Sequence, residues 1–121
     1  MNIRKPTDYT TLFAALDAAV AAQLPQMELY GEIGRVVSGR AEKGAAVAAS
    51  EYLQAAYPAA DGFSPRNVRR MRDFYRIYGD TPELLAAAMR LNWTQNVVIM
   101  EAGLTMDERC WYIRKAAESG L

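Results

Sequence analysis

The sequence predicts an all-α domain, a small bundle of six or seven helices, and three observations carry that prediction. Apolar residues recur at helical spacing along most of the chain. Start and stop residues bracket the periodic runs: Ser64-Pro65, Thr81-Pro82 and Thr105-Met106-Asp107-Glu108 open helices, and Gly79 and Gly103 close them. No segment reads as a convincing strand, and the connections are short.

Thr10 to Leu24 is alanine-rich, with Leu12, Leu16, Ala19, Val20 and Leu24 drifting down one face of a first helix. Pro25 either kinks it or opens the next helix, which runs to about Ser38 on a stripe of Leu29, Ile33, Val36 and Val37. Gly39 and Gly44 then loosen the chain. A third helix from Ala45 to about Tyr57 places Ala46, Ala49, Leu53 and Ala56 on one side, and Pro58, Asp61 and Gly62 form a turn. The fourth starts where Ser64 caps free amides and Pro65 takes the first helical position, and it ends at Gly79. Thr81-Pro82 repeats that start for a short fifth helix ending near Met89. Trp93 to Glu101 is a sixth, although Val97-Val98-Ile99-Met100 is the one run that a strand could also claim. A capping box at Thr105 and Glu108 opens the last helix, which runs towards Ser119.

The 121 residues fit a single helical domain, 51% hydrophobic and 23% charged. Fourteen Lys and Arg balance fourteen Asp and Glu, so net charge points to no class of partner. One cysteine, Cys110, excludes an internal disulfide and fits a reducing compartment. The stretch Met1 to Pro6 resembles the start of a secretion signal, but Asp8, Asp17 and the missing cleavage pattern argue against one. The most apolar stretch, Leu12 to Leu24, is too short and too interrupted to span a bilayer. A cytoplasmic protein without a membrane partner is the expectation.

Absences shape the chemical reading. Without histidine the chain lacks the commonest general base and the commonest metal ligand. Cys110 has no histidine to activate it and reads as a helix-packing residue. Gly31-Glu32-Ile33-Gly34 lacks the third glycine of a phosphate-binding loop and sits inside a helix, and Glu28 with Glu32 reads as a solvated face. The expectation is therefore no enzyme, no cofactor, no metal and no small-molecule substrate.

The informative segment is Ser64 to Tyr78. At about 100° per residue, Val68, Met71, Tyr75 and Tyr78 gather on one side. Arg69, Arg72 and Arg76 lie nearly opposite, flanked by Arg66 and Arg70, with only Asp73 against five arginines. Such a helix can reach successive phosphates or a guanine edge, and its start adds free amides suited to phosphate. With the preceding helix and the turn from Pro58 to Phe63 it has the order of a helix-turn-helix, although that turn is longer than usual. The candidate nucleic-acid-binding residues are Ser64, Arg66, Asn67, Arg69, Arg70, Arg72 and Arg76; Arg66 and Asn67, near the helix start, are the base-reading candidates. The plain alternative is a solvated surface helix whose arginines pair with acidic neighbours. Arginines exposed on a face free of carboxylates favour DNA; arginines neutralised by Asp and Glu favour a protein-assembly role.

Two further features bear on assembly. Phe74, Tyr75, Tyr78, Trp93, Trp111 and Tyr112 all fall in the C-terminal half, either as core or as an exposed anchor set for a protein partner. The alanine-rich first helix is expected to pack against a second copy, because Leu12, Leu16 and Val20 would otherwise lie partly exposed.

Four ordered blocks carry a family resemblance: Leu29-Tyr30-Gly31-Glu32-Ile33-Gly34; Gly62-Phe63-Ser64-Pro65-Arg66-Asn67-Val68 with Met71-Arg72-Asp73-Phe74-Tyr75; Leu91-Asn92-Trp93-Thr94-Gln95-Asn96; and Glu108-Arg109-Cys110-Trp111-Tyr112. Over about Met27 to Gly120 the chain resembles the N-terminal domain of the YhcG family of bacterial proteins. The resemblance implies a helix-turn-helix-like, DNA-binding targeting or assembly module that precedes a PD-(D/E)XK nuclease domain in proteins of the restriction or mobile-element kind. No catalytic residue carries over, since the family's nuclease motif is expected beyond Leu121, and no acidic-x-Lys pair precedes Lys5, Lys43 or Lys115. Gly31 stands where the family usually has an aromatic, which is expected to loosen the second helix, and Gln95 where it commonly has a histidine, a place where glutamine can keep a hydrogen bond. The chain ends near where the family continues into its second domain, as either a piece cut at the boundary or a stand-alone version. The expected partner is duplex DNA; a homodimer or a partner nuclease subunit is the alternative.

Overall fold

The computed structural model describes residues 7–119, and every regular element among them is helical. Seven helices follow one another: α1 Thr10–Ala21, α2 Gln26–Ser38, α3 Ala45–Ala56, α4 Pro65–Tyr78, α5 Pro82–Met89, α6 Trp93–Glu101 and α7 Met106–Glu118. None is long and apolar enough to cross a membrane.

Local chemistry explains most boundaries. Pro25 opens α2 rather than kinking α1, because Gln23 takes a left-handed φ of 53° and turns the chain first. The Ser64 hydroxyl accepts from the Asn67 amide at 3.2 Å, and Pro65 follows at the first helical position. Asn92 with Gln95, and Thr105 with Glu108, form reciprocal capping boxes, so Gln95 does keep a hydrogen bond. Thr81 departs from the expected repeat of the Ser64 start: its side chain caps nothing. Val97 to Met100 is helical, and α2 runs unbroken through Gly31.

Tertiary packing divides the interior into two clusters joined by α4. The first gathers Leu12, Leu16, Tyr30, Ile33, Val37, Leu53 and Phe63 around Val68 and Met71. The second gathers Leu84, Ala88, Leu91 and Ile113 around Phe74 and Tyr78. Trp93 borders both, with its ring edge-on to Tyr30 and Phe74. The buried arc of α4 is therefore wider than periodicity alone implies. Phe74 is buried in the second cluster, edge-on to Trp93 of α6, whereas Tyr75 is only half-buried.

The axis of the fold is the pairing of α2 with α4, which approach through Gly34. A Cβ there would stand 2.7 Å from the Met71 carbonyl carbon and closer still to its oxygen. Gly62 is equally constrained: it sits at φ +90°, and a side chain would run into the Tyr30 hydroxyl.

The reason for expecting α1 to pack on a second copy is corrected. Leu12 and Leu16 do not await a second copy; both are buried in the chain's own core, and only Val20 stays half-buried. Tyr52 and Tyr57 each donate to the Asp17 carboxylate at 2.6 Å, and Phe13 stacks on Tyr52 with ring centroids 4.2 Å apart. These contacts tie α1 to α3 of the same chain.

Candidate nucleic-acid interface

The segment singled out for DNA is built on α4, with α3 packed against it across residues 57–64. Buried Ser50 of α3 donates to the Phe63 carbonyl at 2.6 Å and fixes this connection to α3. It is longer than the three- or four-residue turn of an ordinary helix-turn-helix.

The five arginines do not form one uniform surface. Arg66, Arg69 and Arg76 are exposed. Arg70 is largely covered and makes a two-pronged ion pair with Glu101 at the end of α6, with Nε donating at 2.6 Å and Nη2 at 3.2 Å. Arg70 hydrogen bonding, helped by the nearby charges of Arg70 and Arg66, holds the Glu101 carboxyl below its ordinary value against a smaller desolvation effect. Arg72 turns back onto Asp73, its Nε and Nη2 both donating to one carboxylate oxygen at 3.1 Å. Of the four arginines meant to separate DNA from assembly, Arg69 and Arg76 thus face solvent, while Arg70 and Arg72 are neutralised.

Ser64 is exposed and occupied as the helix cap. Asn67 lies inside the structure's own network: its Nδ2 donates to the Gly62 carbonyl at 2.7 Å, and its Oδ1 accepts from the Trp93 indole at 2.8 Å. Both ends of its amide hold the turn and α6 in place. Its partners lie 5 and 26 residues away, and only the nearer one lies within reach of local sequence reasoning.

The aromatic residues divide as well. Phe74 and Tyr78 are buried, and burial pushes the Tyr78 hydroxyl up to about 12. Trp111 and Tyr112, by contrast, stand on the outer side of α7, with their rings edge-to-face at 5.0 Å. Cys110 is half-buried against the second core cluster. Glu28 is exposed, and Glu32 pairs with Arg35 one turn along α2. Among the described residues no group of three or more His, Cys, Asp or Glu side chains is placed to hold a metal ion.

The family model of the DUF1016 N-terminal domain matches residues 13–121, which takes in most of α1 and every later helix. No curated protein and no solved structure matches the chain.

Proposed function

The chain belongs to the family of DUF1016 N-terminal domains, and on that premise we propose that it is a non-catalytic module that binds duplex DNA through the outer face of α4. The observation that carries the reading is the stripe of Arg66, Arg69 and Arg76, exposed on one helix of a chain with no net charge. The stripe is smaller than the five arginines of the sequence, since Arg70 and Arg72 are offset by Glu101 and Asp73. With Asn67 engaged internally, the reading becomes one of phosphate contacts, with Arg66 the remaining candidate for a base edge. The resemblance to the YhcG N-terminal domain extends the proposal: the module targets or assembles a nuclease whose catalytic domain lies outside this chain.

Titration against duplex DNA at two salt concentrations tests the reading. Each phosphate contact contributes about 0.9 to the salt slope of the binding constant, so three arginines set a slope of about 3 at most. Arg69→Ala and Arg76→Ala should each flatten it by about one unit for any sequence. Arg70→Ala should change it less, because Glu101 already offsets that charge. Absence of salt-dependent binding at low ionic strength refutes the proposal. So does unchanged binding after alanine replaces Arg66, Arg69 and Arg76 in a protein that remains folded.

A second reading, a protein-interaction module, is favoured by the carboxylates paired with Arg70 and Arg72 and by the exposed rings of Trp111 and Tyr112.

A further inference from the structure

The large hydrophobic side chains left most exposed among the described residues are Val98, Met106, Trp111 and Tyr112, and all four belong to α6 and α7. Trp111 is 57% exposed and rises as a ridge between two clefts. On one side lies an apolar cleft of about 510 Å³ against α6, lined by Gln95, Ile99, Tyr112 and Ala116. On the other lies one of about 500 Å³ lined by Asp107, Cys110 and Arg114. A bulky aromatic ridge flanked by grooves is the shape that a second helix meets by interdigitation.

Charge along α7 indicates which helix. Its outer face reads Asp107, Glu108, Trp111, Arg114, Lys115 and then Glu118: acidic in the turn before the tryptophan, basic in the turn after it and acidic again at the rim of both clefts, all exposed. Position 107 lies four residues before Trp111 and Lys115 four after, so each is about 6 Å along the axis from the tryptophan. Two α7 helices crossing antiparallel at Trp111 therefore bring Asp107 of each copy level with Lys115 of the other. Glu108 likewise comes level with Arg114, although Glu108 also accepts from the Thr105 amide in its capping box. Parallel pairing would set like charges opposite one another. Over the turn on either side of Trp111 the face is thus self-complementary, as a two-fold interface requires, while Glu118 comes level with uncharged Leu104 of the other copy.

We propose that α7 is the interface of an antiparallel homodimer, with the Trp111 ridge of each copy seated in the clefts of the other and two Asp107–Lys115 pairs fixing the orientation. The proposal is independent of the DNA reading, because it uses no residue of α4.

Sedimentation of the full chain over a concentration series tests it, with circular dichroism checking that each variant is folded. The expected result is a mass rising from monomer to dimer. Trp111→Glu, a change at an exposed position, should weaken the dimer about a hundredfold or more, as for a central aromatic anchor. Asp107→Lys and Lys115→Asp should each weaken self-association about tenfold, since two attractive pairs become two repulsive ones. An equimolar mixture of those two variants should recover a heterodimer, in which both pairs are again of opposite sign. A monomer at every concentration up to millimolar overturns the proposal and leaves the face to a different protein. A dimer indifferent to Trp111→Glu overturns it too, as does a mixture that associates no better than its components.

Discussion

Gly34 offers the sharpest test of how this fold is held together. Replacing it with alanine places a Cβ 2.7 Å from the Met71 carbonyl carbon and 3.4 Å from the Arg72 amide nitrogen. Ordinary carbon–carbon contact needs about 3.5 Å, so α2 and α4 must part by about 1 Å. The obstacle is backbone inside a helix, which cannot swing aside as a side chain would. Overpacking of this kind costs about 1–3 kcal/mol, and the rigid obstacle puts Gly34→Ala at the upper end. Alanine returns about 1 kcal/mol through helix propensity, leaving a net loss of about 2 kcal/mol. Gly31 provides the internal control, three residues earlier on the same helix. A Cβ there meets nothing nearer than the Met89 sulfur at 3.7 Å, so Gly31→Ala should stabilise by up to about 1 kcal/mol. Urea melts of the three proteins give both differences directly, and Gly34→Ala should also lower Tm by about 6–12 °C. If both variants shift stability in the same direction, propensity alone governs α2, and the close approach to α4 does not limit the fold.

Ser64→Ala should cost about 1 kcal/mol by releasing the Asn67 amide, and an unchanged denaturant midpoint would mean that α4 is capped by something else. Asn67→Ala removes the acceptor of the Trp93 indole and should cost about 1–2 kcal/mol. In a Trp111→Phe background the emission of Trp93 should then shift, and an unshifted spectrum would contradict the bond. Asp17 carries a pH signature: hydrogen bonds from Tyr52 and Tyr57 hold its carboxyl below its ordinary value of 3.8. Its stabilising effect is therefore complete above that value and lost as pH falls through the lower, folded one. Tyr57 is raised to about 12, chiefly by its bond to Asp17, so the same clamp weakens as pH rises through 10 towards 12. Asp17→Asn should flatten the acid limb of a stability–pH profile; an unaltered limb would refute the assignment.

Periodicity, proline and capping chemistry located the helical runs, because most boundaries depend on residues within a few positions of them; that Pro25 opens a helix of its own rather than kinking the first was decided by the turn at Gln23. Ser64-Pro65 opens α4, Thr105 with Glu108 opens α7, and Pro25 together with the turn at Gln23 separates α1 from α2. The solvent side of Arg69 and Arg76 followed from the same local geometry. What the chain does with those helices was settled at long range. Arg70 meets Glu101 31 residues later, and the Asn67 amide is engaged by Trp93. Leu12 and Leu16, expected to lie partly exposed, close the chain's own core. Helical spacing tells which residues share a face but not which element covers that face. The unpaired cations on α4 and the uncovered rings on α7 therefore emerged only when seven helices competed for the same interior.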